Sequence, residues 1–303
     1  MIFLVVLIIV TPDDSSNTKV EQSNYTQIER LGDGIFSTIY DSAAKEYLQN
    51  NMMYYQVNAI DEGNQTVVIP VQKLLFQNNY YYNPNGSLNH TGIYSDPSKV
   101  ELYHKIGLYN SSKKIVFVYP IFTQIAYEKN GFYDYYAGRC DSSCLTLKLT
   151  QDINGKYTSS GRAAAILTLL NYPYITDIDI DKNPDILKRY DTVIMLHNEY
   201  VTKREFDAVI QHPNVIYLYA NALYAQVFVD YDSNRMTLIR GHGFPQASIG
   251  NGFDWKFDNS KSEYNNVCYD LNFTEVDNGD MLNCYPSYRL YYDIALLESL
   301  KND

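Results

Sequence analysis

The chain has one tryptophan, four cysteines and five histidines among 303 residues, and fewer basic than acidic side chains, 24 against 35. Its formal charge is −11 and its isoelectric point lies near 4.9. The basic residues gather into no long cluster, which excludes nucleic acid and an anionic membrane surface as main partners. The cysteines fall into two local pairs, Cys140 with Cys144 and Cys268 with Cys284, and lack the two CxxC knuckles of a strong zinc site. Two disulfides in an exported protein fit that usage better. The apolar run at residues 2–10, IFLVVLIIV, has nine residues where a membrane-spanning helix needs about 20. It reads as the core of a signal peptide or of an uncleaved anchor, although no basic stretch precedes it. An extracellular or cell-surface location follows, with membrane contact only through that N-terminal segment. No internal repeat is visible.

What is present suits a folded protein. Apolar residues make up 46% and charged residues 19%, so disorder is not the default. Tyrosine is the excess, at 31 residues. An AT-rich coding sequence would supply that bias without any functional reason. Clusters such as Tyr80 to Tyr82 and Tyr133 to Tyr136 point instead to an aromatic surface for protein partners or glycans. Asn-x-Ser/Thr sequons at Asn24, Asn64, Asn85, Asn89, Asn110 and Asn272 suit glycosylation outside the cell.

The chain divides by pattern into a signal or anchor segment (1–10), a polar linker (11–27), an α+β extension (28–110), an α/β core (111–230) and a β-rich section ending in a helix (231–303). In the extension a helix is expected over 35–48, an edge strand over 65–76, a long loop over 77–96 and a short helix over 98–106. In the core, buried-strand patterns at 113–119, 174–180, 192–196 and 214–218 alternate with helices, as in a doubly wound, mainly parallel sheet. Leu145 to Leu149 alternates, as one arm of a hairpin turning at Asn154-Gly155 would.

The clearest unit is 190–229. Thr192 to Leu196 reads as a strand buried on both faces. Thr202 with Glu205 three residues on forms a capping box ahead of the apolar face Phe206, Val209 and Ile210, Pro213 ends the helix, and a second strand follows. Residues just past a parallel strand face the ligand crevice, which here brings forward His197, Asn198, Glu199 and Tyr200. An imidazole and a carboxylate two positions apart suit metal ligation or proton sharing, and they equally suit a solvated loop. His242, in Gly241-His242-Gly243, reads first as a turn residue, with a place facing the same crevice as the alternative. Asp177 and Asp179 read as helix caps, Trp255 as a core or interface aromatic, and His104 and His212 as solvated helix residues.

These motifs, in this order, resemble the carboxyl-terminal region of the N,N-dimethylformamidase large (beta) subunit, a branch of the class I glutamine-amidotransferase-like superfamily. The resemblance rests on His197-Asn198-Glu199-Tyr200, Ala220-Asn221-Ala222-Leu223-Tyr224, Ala126-Tyr127-Glu128, Asn130-Gly131-Phe132-Tyr133 and YITDIDI at 174–180. It implies a flavodoxin-like α/β fold and a mononuclear iron, or another transition metal, held by Glu199, Tyr127 and Tyr133. His197 would serve beside Glu199 in hydrolysis of a small amide's C–N bond. Leu196 stands where the family has glycine, and Ala220-Asn221-Ala222 replaces a Gly-x-Cys-x-Gly elbow, so no cysteine nucleophile is expected. Those departures favour a non-catalytic surface protein that binds a protein or glycan. The metal-dependent amidohydrolase is the alternative.

Overall fold

Thr192–Met195 is buried along its whole length, and Val193, Ile194 and Met195 have no solvent exposure. A run of β-branched and unbranched apolar residues without alternation is what a strand covered on both faces needs. Parallel neighbours flank it on both sides. The computed structural model describes residues 4–8, 54–59, 65–70, 74–82, 88–153, 155, 160–257, 259–262, 268, 271–287 and 289–302. The chain forms two compact units, Met1–Lys99 and Val100–Asp303.

In the first unit, β1 (Leu4–Ile8), β2 (Tyr54–Ala59) and β3 (Gln65–Pro70) make an antiparallel sheet with β2 in the centre. β1 thus comprises most of the apolar run read as a signal or anchor core. The edge strand expected at 65–76 is β3, which stops at Pro70, a residue with no N–H to extend a ladder. Residues 77–96 correct the expectation of a loop: β4 (Phe76–Tyr82) and β5 (Leu88–Ser95) are an antiparallel hairpin. Their tyrosine and β-branched residues favour a pleated surface, a preference masked in the sequence by the surrounding asparagines. The helix expected at 35–48 and the linker at 11–27 lie outside the described residues.

The second unit opens with α1 (Val100–Ile106), β6 (Ile115–Tyr119), α2 (Ile121–Ala126), α3 (Phe132–Tyr136), β7 (Thr146–Lys148) and α4 (Gly161–Leu169). Then come β8 (Tyr174–Thr176), α5 (Asp177–Lys182), β9 (Thr192–Met195), β10 (Tyr200–Thr202), α6 (Lys203–Gln211), β11 (Val215–Tyr217), β12 (Ala225–Asp230) and β13 (Arg235–Arg240). β14 (Phe273–Val276), β15 (Gly279–Leu282) and α7 (Ile294–Asn302) complete it. One sheet runs β14-β15-β11-β9-β6-β8, parallel throughout except for the edge strand β14. The expected parallel strands are all present. The sheet also takes β15 from the section read as a separate β-rich extension. That strand opens on Gly279, where a Cβ would fall 1.8 Å from the Val215 carbonyl oxygen, so the approach of β15 to β11 requires glycine. No helix among the described residues is long and apolar enough to cross a membrane.

A second sheet runs β10-β12-β13-β7. β7 pairs with the distant β13; the other arm of the hairpin expected around Asn154-Gly155 falls largely outside the described residues. Two segments of the chain pass from one sheet to the other, β9 into β10 and β11 into β12, and β10 lies parallel to β12. The strand expected over 174–180 stops at Thr176. There Thr176 and Asp179 form a reciprocal capping box and start α5, the local hydrogen bonds overriding the alternation of DIDID. Asp179 is therefore a cap, as expected. The box expected at Thr202 is half made: Thr202 Oγ1 accepts the Glu205 N–H at 3.1 Å, while the Glu205 carboxylate draws only weakly on the Thr202 N–H.

Glu205 is fully buried beside Asp177 and Asp181 of α5. Asp181 accepts from Thr202 Oγ1 at 2.5 Å and Tyr231 Oη at 2.7 Å, and Asp177 from the backbone N–H groups of Phe122 and Ile178. Burial, and then the charges of Asp177 and Asp181, hold the Glu205 carboxyl well above the usual carboxylate range. A carboxyl whose folded-state pKa is raised contributes stability at low pH that is lost as pH rises. Thermal unfolding of the native chain should therefore show stability falling toward alkaline pH. Glu205→Gln should flatten that slope and be the more stable form at pH 9 by about 1–3 kcal/mol; parallel slopes would contradict the assignment. Cys268 and Cys284 are bonded across 16 residues, and the Cys268→Ser, Cys284→Ser double variant should lose about 3 kcal/mol in denaturant unfolding by loss of loop closure.

Candidate functional site

β6 and β9 are parallel neighbours, and β8 lies on the far side of β6. The chain therefore leaves β6 in one direction and returns on its other side. The carboxyl ends of β6 and β9 border the crevice that such a reversal creates.

From the end of β6, Pro120 leads into α2. Proline offers no side-chain acceptor, and Asp177 Oδ2 caps the helix from outside by accepting the Phe122 N–H at 2.8 Å. α2 ends at Tyr127. The chain then turns through Asn130, at φ 61°, and Gly131, where a Cβ would meet the Ala126 carbonyl oxygen at 2.3 Å. α3 follows and carries Tyr133. This tight reversal brings the rings of Tyr127 and Tyr133 together, stacked at 4.0 Å between centroids.

From the end of β9, the segment His197-Asn198-Glu199 crosses to the second sheet with its backbone pinned at every residue. His197 N–H donates to Ser160 Oγ at 2.8 Å, Asn198 O accepts from Leu223 at 2.8 Å, and Glu199 O accepts from Tyr224 and Ala225 at 2.9 and 2.8 Å. The next N–H, of Tyr200, donates to Thr123 Oγ1 of α2 at 3.2 Å, tying the two arms together.

Glu199 is fully buried and is the centre of the site. Tyr127 Oη donates to its Oε2 at 2.9 Å, Tyr133 Oη to its Oε1 at 2.8 Å, and the two phenol oxygens are 2.7 Å apart. His197 Nε2 stands 3.3 Å from Oε2, its ring stacked on Tyr219 and edge-on to Tyr285. All four residues named from the sequence, His197, Glu199, Tyr127 and Tyr133, thus come together. A fifth, read there as a turn residue, joins them: His242 Nε2 contacts Glu199 Oε1 and lies 3.2 Å from Tyr133 Oη. The signal that pointed to it was a lone histidine between glycines, and Gly241-His242-Gly243 does form a turn, with His242 at φ 56°.

The electrostatics follow from this packing. Burial alone would raise Glu199, but electrostatic attraction to His242 and hydrogen bonds from His197 and His242 outweigh it and hold the carboxyl well below its usual range. Burial, then the Glu199 charge, push Tyr127 and Tyr133 well above ordinary phenols. The site is an ionised carboxylate surrounded by protonated phenols.

The other candidates lie elsewhere. Asp177 caps α2, and Trp255 packs with Phe206, Tyr217 and Phe257 in the core. His212, expected in solvent, is buried at the end of α6, where its ring meets the carbonyls of Asn214 and Tyr190; the short connection to β11 folds it under the helix. Asn221 is fully buried, and neither atom of its amide finds a hydrogen-bond partner among the described residues. Cys140–Cys144 and Cys268–Cys284 are both disulfides. Asn110 and Asn272 are exposed, Asn89 lies in β5, and Asn24, Asn64 and Asn85 fall outside the described residues. No group of three or more His, Cys, Asp and Glu side chains among the described residues has the geometry to hold a metal, so the convergence depends on its phenols.

No curated protein matches the chain. The profile of the family described as N,N-dimethylformamidase beta subunit-like, C-terminal, matches residues 102–265. That span begins in α1, extends beyond β13 and includes every residue of the site from Tyr127 to His242. Covering more than half of the chain, the match establishes that it belongs to the N,N-dimethylformamidase beta subunit-like C-terminal family.

Proposed function

We propose that the chain is a metal-dependent amidohydrolase that cleaves the C–N bond of a small amide. The observation that carries this reading is the meeting of two phenol oxygens and one carboxylate, from three separate segments, at contacts of 2.7–2.9 Å. In an octahedral sphere with bonds of about 2.0 Å, adjacent oxygen donors stand about 2.8 Å apart. Tyr127, Tyr133 and the two carboxylate oxygens of Glu199 would hold a hard cation at such spacing, and an all-oxygen donor set whose phenols ionise on binding suits ferric iron. Such an ion supplies Lewis acidity toward an amide carbonyl and lowers the pKa of water.

The chain's own residues supply the rest. Glu199, ionised and fixed by its backbone, orients both phenols. His197 is set at the other carboxylate oxygen, its ring plane fixed by Tyr219 and Tyr285, as a group that passes a proton to a leaving amine must be. The surrounding rings keep bulk water out and strengthen every charge interaction inside. In the same reading the parallel sheet, with strand order β8-β6-β9-β11-β15, is a doubly wound sheet of the flavodoxin-like, class I glutamine-amidotransferase-like kind, with the site at its switch point. Two disulfides fit an oxidising compartment and hence an exported protein.

Purified protein loaded with iron should hold about one equivalent and show a visible tyrosinate-to-metal absorption band. Glu199→Gln should lose the metal, Tyr127→Phe and Tyr133→Phe should each shift or abolish the band, and hydrolysis of small amides should fall by about 100-fold or more in all three. Folded native protein that stays colourless and metal-free would overturn the hydrolase and return the reading to a non-catalytic surface protein that binds a protein or glycan partner.

A further inference from the structure

We infer that His242 is a fourth protein ligand in this centre, giving it one nitrogen beside the oxygens of Tyr127, Tyr133 and Glu199. The inference rests on the metal-centre reading above and adds a residue to it.

Position is the first argument. His242 Nε2 touches Glu199 Oε1 and stands 3.2 Å from Tyr133 Oη, while those two oxygens are 2.8 Å apart. The three atoms form a compact triangle, as neighbouring donors on one ion do. A cation held by Tyr133 Oη and Glu199 Oε1 would have His242 Nε2 within reach. His197, by contrast, meets the other carboxylate oxygen, Oε2.

Orientation is the second. The imidazole is stacked against Tyr136 on one side, at 5.1 Å between centroids, and against Tyr200 at 5.7 Å with planes 11° apart. Tyr224 and Tyr133 meet it edge-on. Its side chain is 4% exposed. A ring so enclosed has one direction in which to point Nε2, and preorganised aim is what a ligand needs.

Backbone conformation is the third. His242 occupies the left-handed region at φ 56°, which non-glycine residues adopt only at a cost. Hydrogen bonds from His242 N–H to Gly250 O at 3.0 Å and from Gly243 N–H to Ile249 O at 2.6 Å hold it there. The turn thus spends conformational freedom to aim one imidazole at the carboxylate.

The chemistry is compatible. Two phenolates and a carboxylate balance the charge of a ferric ion, and a neutral imidazole adds a donor without adding charge. Imidazole also widens the range of acceptable metals toward zinc, copper and nickel.

The test is pulsed electron paramagnetic resonance of the full chain loaded with one equivalent of ferric iron, grown with natural or nitrogen-15 histidine. Native protein should show coupling to a histidine nitrogen that changes isotope with the label. His242→Gln should abolish the coupling and weaken iron binding by about tenfold or more, whereas His197→Gln should keep the coupling. Because the native spectrum needs no variant, the test stands even if His242→Gln fails to fold. Iron bound without histidine-nitrogen coupling, or coupling lost only in His197→Gln, would overturn the ligand assignment and leave the metal centre intact. Protein that binds no iron would overturn both.

Discussion

The buried, ionised carboxylate of Glu199 is the constraint around which the second unit is arranged. A charge with no solvent contact is tolerated only where hydrogen bonds and opposite charge replace its hydration. Four side chains do so here, two phenols and two imidazoles, with both carboxylate oxygens engaged. Removing any one would leave part of the carboxylate unsatisfied. Every segment that carries a partner must then be held in place, and the backbone of residues 197–200 is hydrogen-bonded on all sides for that reason.

The fold makes such holding possible because the site sits where two sheets exchange strands. β9 belongs to the parallel sheet and β10 to the second, and Glu199 lies in the short crossing between them. The crossing from β11 to β12 runs alongside and supplies the N–H groups of Leu223, Tyr224 and Ala225. Neither sheet alone would fix both sides of the carboxylate. Asp177 extends the scaffold to α2, and through Thr123 that helix reaches back to Tyr200. Asp177 is thus tied to the site through α2, the helix that ends at Tyr127, and Asp181 and Glu205 lie beside Asp177.

Much of this was legible in the sequence where the determinants are local. β9, β11 and α6 follow from apolar runs, a threonine cap and a proline stop, His197 and Glu199 stand out by their place at a strand end, and Tyr127 and Tyr133 come only from the family resemblance. What was not legible depended on distant pairing. β7 alternates as a hairpin arm should, yet its partner, β13, is nearly 90 residues away. β15 is four residues long and joins the parallel sheet only because Gly279 admits the Val215 carbonyl. At Thr176 two readings of DIDID competed, and the capping box prevailed because its hydrogen bonds form within a single turn. His242 was the hardest to read: its turn was evident, but nothing local indicates that the turn aims at Glu199, 43 positions earlier.

The tyrosine excess can be assigned in part on the same physical grounds. Tyr119, Tyr200, Tyr217, Tyr219, Tyr224 and Tyr291 are among the largest side chains to be fully buried, which is not where a sticky surface would place them. Phenylalanine would fill the same volumes, but it could not donate to a carboxylate, as Tyr127 and Tyr133 do, or share a hydrogen bond with Ser287, as Tyr219 does. A tyrosine brings an apolar wall and a polar tip on one rigid group with few rotamers to freeze. Around an anion that must be kept from water and still be hydrogen-bonded, both properties are needed at once. The buried carboxylate accounts for why Tyr127 and Tyr133 stand where they do.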